Sequence, residues 1–139
     1  MITRSPVPAL PAQTKAALIV DDFSSVRFYH NKVLKSAGFE CSSARNGREA
    51  LELLQRQAFE LIVLDLIMPE MGGPEFIRTL RASSAWAHLP VIIISTEMVG
   101  KRLRQERTAE AGPVGFVQKP VYPKEIMSEI QRLLLPAGC

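Results

Sequence analysis

The sequence has little of several features that would assign it to a special class of protein. Two cysteines, Cys41 and Cys139, in 139 residues are too few for a disulfide framework or a cysteine-rich zinc site. No apolar run approaches the roughly 20 residues of a membrane-spanning helix, and residues 1–16 lack the apolar segment of a secretory signal. The net charge of +3 is too small to indicate nucleic-acid binding. We therefore expect a cytoplasmic protein with reduced thiols, no direct nucleic-acid contact and no membrane insertion.

The composition that is present is typical of one folded domain. Hydrophobic residues make up 47% of the chain and charged residues 22%, and this length is sufficient to bury a core. Residues 1–15 carry Pro6, Pro8 and Pro11 among small and polar residues, which indicates a flexible tail. We expect the domain over residues 16–135 and a short C-terminal stub over 136–139.

Short apolar runs alternate with amphipathic segments through this domain. The runs predict strands at 17–20, 39–44, 61–65, 90–95 and 115–120, and the segments predict helices at 24–38, 46–57, 73–82, 97–112 and 123–135. This alternation predicts an α/β fold, with a parallel sheet covered by helices on both faces.

Two of the predicted helices carry further detail. Val26, Tyr29, Val33 and Ala37 fall on one stripe of the first helix, which we expect to face the sheet, and Gly38 follows as a C-terminal cap. The segment 97–112 has few large apolar residues, so we expect a loosely held helix there.

Polar side chains collect where the apolar strands end. Asp21 and Asp22 follow the first strand, Asp65 ends the third, and Lys119 closes the last. The fourth ends in Ser95 and Thr96, of which we favour Ser95 as the residue that faces the site. Taken alone, Asp21 and Asp22 favour the simpler interpretation as N-caps of the helix that follows, and only their expected position beside Asp65 and Lys119 reverses that preference. Ligands of open α/β sheets bind outside the carboxyl ends of the strands, so we expect these groups to share one rim.

This set of groups suits phosphoryl chemistry. Carboxylates held close together repel unless a cation lies among them, and a few hard oxygen ligands suit Mg²⁺. A carboxylate beside Mg²⁺ and a lysine is able to attack phosphorus and form an aspartyl phosphate. We therefore predict that Asp65 is the nucleophile, with Lys119 and Ser95 contacting the phosphoryl oxygens.

Four segments in this order resemble the receiver domain of two-component response regulators. They are the acidic pair in "LIVDDFSSVR", the phosphoacceptor segment in "LDLIMPEMGG", the hydroxyl at the end of "PVIIIST" and the aromatic-x-x-Lys-Pro segment in "GFVQKP". "VDDFSS" and the lack of an output domain are most similar to the stand-alone chemotaxis-type members. The resemblance implies a flavodoxin-like sheet with the strand order 2-1-3-4-5.

The resemblance also implies a role for each site residue. Asp21, Asp22, Asp65 and the backbone carbonyl of Ile67 would bind Mg²⁺, and a histidine kinase or phosphotransfer protein would phosphorylate Asp65. Lys119 would contact the phosphoryl group, and the Lys119–Pro120 peptide would be cis.

The same resemblance implies how the signal leaves the site. Ser95 and Phe116 would act as the switch pair, and they would remodel the face made by segment 97–112, the last strand and the last helix for a downstream protein. Phe116 is at least as well explained as an ordinary core residue, and the two roles are compatible. Ile67 is apolar at a place where some members carry a polar residue, so we expect slow self-dephosphorylation. The protein would be a monomer or a weak phosphorylation-dependent dimer.

Two other functions fit the same residues. The chain would be a receiver fragment if it belonged to a larger regulator with a DNA-binding or enzymatic output domain. It would be a phosphorylation-independent pseudo-receiver scaffold if Asp65 took up no phosphate. The complete set of acids, hydroxyl and lysine argues against the scaffold, and the signalling switch is favoured over an enzyme.

Overall fold

A computed structural model of the chain describes residues 15–66, 68, 70–95 and 112–134. Its strands are β1 (Lys15–Val20), β2 (Phe39–Ala44), β3 (Leu61–Asp65), β4 (Val91–Ser95) and β5 (Val114–Gln118). Its helices are α1 (Ser24–Ser36), α2 (Gly47–Arg56), α3 (Gly73–Ala82) and α4 (Pro123–Leu134). None of these helices is long and apolar enough to cross a membrane. The predicted tail, the predicted stub and almost all of the helix predicted at 97–112 lie outside the described residues.

The five strands form one parallel sheet in the order β2-β1-β3-β4-β5. This order confirms the predicted flavodoxin-like fold. Every residue of β3 and of β4 is buried, because helices cover both faces of the central strands. A strand buried on both faces reads as a continuous apolar run, and this is why these two were visible in the sequence.

The core has two layers, one on each side of the sheet. Alternate residues of a strand point to opposite faces, so Leu18 and Ile19 of β1 belong to different layers. The layer under α2 and α3 contains Phe76, and the layer under α1 and α4 contains Leu34 and Ile126. The two layers hold β1 and β3 in place, and the site lies where these strands end.

The inward face of α1 differs from the predicted one. The buried residues of this helix are His30, Val33 and Leu34, whereas Tyr29 is 36% exposed and its hydroxyl donates to the Val121 carbonyl at 3.0 Å. The prediction that Tyr29 faces the sheet was therefore wrong. Burial of Leu34 rotates the buried face of α1 by about one residue from the predicted face. Tyr29 therefore lies at the surface, where its hydroxyl has an acceptor.

The end of α1 is as predicted. Gly38 has a φ of +97°, a left-handed conformation that glycine adopts without steric cost, and its N–H donates to the Lys35 carbonyl at 3.0 Å. This cap ends the helix and returns the chain to the sheet as β2.

Candidate functional site

Four strands bring their terminal polar residues to one rim of the sheet. Asp21 directly follows β1, Asp65 ends β3, Ser95 ends β4 and Lys119 directly follows β5. Asp65 is in register with Ile94 of the neighbouring strand. Because all strands run in the same direction, their carboxyl ends meet at this edge, as the sequence predicted.

Three carboxylates lie together at the centre of the rim. Asp21, Asp22 and Asp65 each offer an oxygen, and these oxygens lie within 4.8 Å of one another. Asp21 is 2% exposed and Asp65 is 4% exposed. Burial raises the pKa of Asp21, the N–H of Phe23 lowers it, and the charges of Asp65 and Asp22 raise it further. The cluster is therefore costly to ionise without a counter-cation.

The backbone fixes this acidic pair in place. The Asp21 carboxylate accepts the N–H of Phe23 at 3.0 Å, and the Asp21 carbonyl accepts from the Arg27 guanidinium at 2.7 Å. The N-cap of α1 is Phe23, and no side chain in the described part of the chain caps the helix. Helix capping, the simpler explanation of the pair, thus does not account for either acid.

The arrangement fits a divalent metal ion. One buried oxygen of Asp22 has no hydrogen-bond partner among the described residues, and a buried acceptor without a partner is costly. A hard cation bound by the three carboxylates would satisfy that oxygen and relieve the repulsion within the cluster. Ile67, whose carbonyl was the predicted fourth ligand, lies outside the described residues.

Lys119 reaches the cluster from the far side of β4. Its ammonium nitrogen lies 3.3 Å from Oδ1 of Asp65, and its backbone N–H donates to the Ser95 carbonyl at 2.9 Å. The Lys119–Pro120 peptide is cis, which confirms that prediction. The end of β4 therefore holds the lysine backbone at the rim, while its charged group contacts the carboxylate.

Glycine shapes the loop that follows Asp65. The N–H of Gly73 donates to the Leu66 carbonyl at 2.9 Å, and a Cβ at Gly73 would lie 2.7 Å from the Leu66 Cα. Gly47 likewise donates to the Met71 carbonyl at 3.3 Å. Glycine permits both close approaches, so the loop folds back tightly after the carboxylate.

The predicted switch residues are placed at different distances from the cluster. Ser95 is 5% exposed at the end of β4. Phe116 is half-buried in β5, and its N–H donates to the Glu129 carboxylate at 3.1 Å. The structure thus brings together the three acids and Lys119, with Ser95 beside them, while Phe116 lies further back along β5. Their roles in signalling remain predictions.

A histidine that the sequence analysis did not single out lies next to the site. His30 of α1 is 2% exposed, and neither ring nitrogen has a hydrogen-bond partner among the described residues. Burial lowers the pKa of His30 to about 4, and the charge of Lys119 adds to the effect. The only sign of this in the sequence is that His30 lies one position after Tyr29, a member of the stripe expected to face the sheet.

His30 belongs to the wall of a pocket that opens beside Asp65. The pocket has a volume of about 330 Å³ and is bounded by α1 on one side and by the chain after β5 on the other. Its lining includes Asp65, Lys119, Phe23, Tyr29, His30 and Pro120. The carboxylate cluster is thus accessible through a partly apolar cleft.

Comparison with known proteins finds relatives that share this fold and these sequence motifs. The family model described as "Response regulator receiver domain" matches residues 17–131. The chain is 35% identical over 117 residues to the chemotaxis protein CheY of Pseudomonas aeruginosa, covering 84% of this chain and 93% of that protein. It is 36% identical over 118 residues to the two-component response regulator ORR5 of Oryza sativa subsp. japonica, covering 84% of this chain and 87% of that protein.

Solved structures give the same result. The chemotaxis protein CheY4 of Vibrio cholerae has a TM-score of 0.78 and 35% identity, covering 87% of this chain and 99% of that chain. A receiver domain of a P. aeruginosa sensor histidine kinase, described with a magnesium ion coordinated in its active-site cleft, has a TM-score of 0.74 and covers 86% of this chain and 96% of that chain. At 23% identity this second likeness shows the shared fold.

Proposed function

Because the chain belongs to the response regulator receiver domain family, we propose that it is a phosphorylation switch in which a histidine kinase or phosphotransfer protein phosphorylates Asp65. One observation supports this most strongly. The Asp65 carboxylate ends a fully buried strand, is grouped with two further carboxylates and lies 3.3 Å from the Lys119 ammonium. We assign this function to residues 16–135 and place the protein in the cytoplasm with its kinase.

The charges of the site support phosphoryl transfer to Asp65. Its carboxylate would attack phosphorus, and the rigid strand holds it in one orientation, which favours reaction. Lys119 would move its positive charge from Asp65 to a phosphoryl oxygen, and the Ser95 hydroxyl would donate to another. Mg²⁺, held by Asp21, Asp22, Asp65 and the Ile67 carbonyl, would neutralise charge that builds up on the phosphoryl group.

The output would depend on Ser95 and Phe116. Ser95 ends β4, next to the strand that carries Phe116, and movement of its hydroxyl toward a phosphoryl group would free space near the ring. Phe116 is half-buried, and its ring would turn inward. The surface around β5 and α4 would then change shape for a downstream protein. In this account the protein is a signalling switch that also supplies groups for its own phosphorylation and dephosphorylation.

Intact-mass measurement after incubation with acetyl phosphate and Mg²⁺ tests this function. We expect wild type to gain one phosphoryl group and Asp65→Asn to gain none, and EDTA should suppress the reaction. The matched control is Glu70→Gln, which changes an exposed acid in the loop after Asp65 and should leave the adduct unchanged. A folded wild-type protein that gains no phosphoryl group would overturn the proposal and indicate a phosphorylation-independent scaffold.

A further inference from the structure

Side chains of α4 cover the outer edge of β5. In the described part of the chain, β5 pairs with β4 and with no other strand. The Pro113 carbonyl and the Lys119 N–H both bond to β4, and the backbone groups of successive residues in a strand point to opposite sides. The Phe116 N–H and the Val114 carbonyl therefore point away from β4, along the edge of the sheet.

Two charged residues of α4 bond to these edge groups. The Phe116 N–H donates to the Glu129 carboxylate at 3.1 Å, and the Arg132 guanidinium donates to the Val114 carbonyl at 2.8 Å. The same guanidinium donates to the Glu129 carboxylate at 2.9 Å. The two side chains thus supply one acceptor and one donor, which is what a residue of a neighbouring strand would supply.

The sequence makes room for this contact. Gly115 lies between the two edge residues, and a Cβ at that position would collide with the Glu129 carboxylate. Arg132 follows Glu129 by three residues, a spacing that places both side chains on one face of the helix. The polar pair is not needed to hold α4 on the sheet, because Ile126 and Ile130 of the same helix are buried in the core.

An uncovered strand edge is a template for pairing with another chain. We propose that Glu129 and Arg132 form an edge guard, which takes the place of a further strand and closes β5 to the β5 edge of a second copy of the chain. This inference goes beyond the proposed function and does not depend on it. The edge guard would allow the surface around β5 to change for a downstream protein without opening a strand edge to self-association.

A second copy fits the uncovered edge because such a contact is self-complementary. Two β5 edges related by a two-fold axis run antiparallel. The Phe116 N–H of each copy is then able to donate to the Val114 carbonyl of the other. With the edge guard in place both groups already have partners, so pairing between copies would first have to break bonds within each copy.

Sedimentation velocity and amide hydrogen exchange of the unphosphorylated chain test the edge guard. Sedimentation over a range of concentrations measures self-association, and exchange detected by NMR reports on the Phe116 amide. Glu129→Ala removes the acceptor, Glu129→Gln keeps an acceptor oxygen, and Arg132→Ala uncovers the Val114 carbonyl. The matched control is Glu125→Ala, which removes an exposed acid one turn earlier on the same helix.

We expect Glu129→Ala and Arg132→Ala to strengthen self-association by roughly fivefold or more, because each leaves an edge group free to pair with a second copy. In Glu129→Ala the Phe116 amide should exchange faster than in wild type at low protein concentration, and its protection should return as the concentration rises. Glu129→Gln should keep most of the wild-type protection, and Glu125→Ala should match wild type in both measurements.

Unchanged self-association in the folded variants that remove part of the edge guard would overturn the proposal, even with faster exchange at Phe116, because the pair would then only support the local fold. Self-association that leaves the Phe116 amide of Glu129→Ala unprotected would also overturn it, because the contact would lie elsewhere. Arg132→Ala probes the same edge while keeping Glu129, so it decides the matter if Glu129→Ala does not fold. These results are independent of phosphorylation at Asp65, so the proposed function stands or falls separately.

Discussion

Replacing His30 by leucine is expected to reduce the loss of folding stability that the protein undergoes as pH falls below about 6.5. His30 is 2% exposed, and its ring nitrogens have no hydrogen-bond partner among the described residues. Burial, with a contribution from the charge of Lys119, lowers its pKa to about 4 from 6.5. Leucine has a similar volume and no polar atom, so His30→Leu removes the titration while keeping the packing.

The sign and size follow from proton linkage. The unfolded chain binds a proton at His30 near pH 6.5, whereas the folded chain binds it only near pH 4, so acid favours unfolding. The loss of folding free energy begins as pH falls through about 6.5 and is complete below about 4. The pKa difference corresponds to about 3 kcal/mol in total and about 2 kcal/mol at pH 5.

Other groups titrate in the same range, so the comparison must be made between variants. Asp21 acts in the opposite direction, because its raised pKa makes proton uptake by the folded state more favourable as pH falls. Asp21 is present in both wild type and His30→Leu, and the difference between the two proteins isolates His30 as far as the two sites are independent. His88→Gln is the matched control, because His88 is exposed.

Urea unfolding at pH 8, 6 and 5 without divalent ions measures the effect. We expect His30→Leu to be more stable than wild type at pH 8, because it removes a buried polar group that has no partner among the described residues. The advantage should grow by about 2 kcal/mol at pH 5. The His88→Gln curve should run parallel to wild type. A constant difference between His30→Leu and wild type at all three values would show that His30 titrates normally, and the reasoning would be refuted.

Three further predictions concern the loop, the metal cluster and the frame of the sheet. Gly73→Ala should lower the free energy of unfolding by more than about 1 kcal/mol, because its Cβ would lie 2.7 Å from the Leu66 backbone. Gly72→Ala, whose Cβ would have its nearest neighbour at 3.6 Å, should change that free energy by no more than about 0.5 kcal/mol in urea unfolding. Asp22→Asn should raise the stability of the metal-free protein, because it relieves repulsion among the three carboxylates. It should also lower Mg²⁺ affinity by roughly an order of magnitude or more in calorimetric titration, and unchanged affinity would exclude Asp22 as a ligand. Arg81→Gln should cost at least about 2 kcal/mol, because the Arg81 guanidinium donates to four backbone carbonyls around the start of β4 and β5; an unchanged urea midpoint would contradict this.

The fold was predictable because burial leaves a direct mark on strand sequence. The residues of β3 and β4 are buried on both sides, so they read as apolar runs, and the polar groups at their ends stand out. Asp65 was therefore identified from the strand that it ends, whereas Lys119 follows the partly exposed strand β5 and was identified from the Lys-Pro pair that closes its segment. Parallel strands then bring such groups to one rim without any further information.

The orientation of α1 was not predictable in the same way. Its apolar residues support two inward stripes one position apart, and only packing against the sheet decides that His30 rather than Tyr29 is buried. The pocket escaped prediction for a related reason, since its walls come from α1 and from the chain after β5. Contacts between elements distant in sequence leave no periodic signal in either.

The most direct test of the central claim is to locate the phosphoryl group in the chain. Borohydride reduces an acyl phosphate at aspartate to homoserine, and peptide mass mapping then identifies the modified residue. After incubation with acetyl phosphate and Mg²⁺, we expect homoserine at position 65 and none at Asp21 or Asp22. Reduction at either of those residues, or a phosphoryl adduct that leaves Asp65 unchanged, would contradict the assignment of Asp65 as the phosphoacceptor.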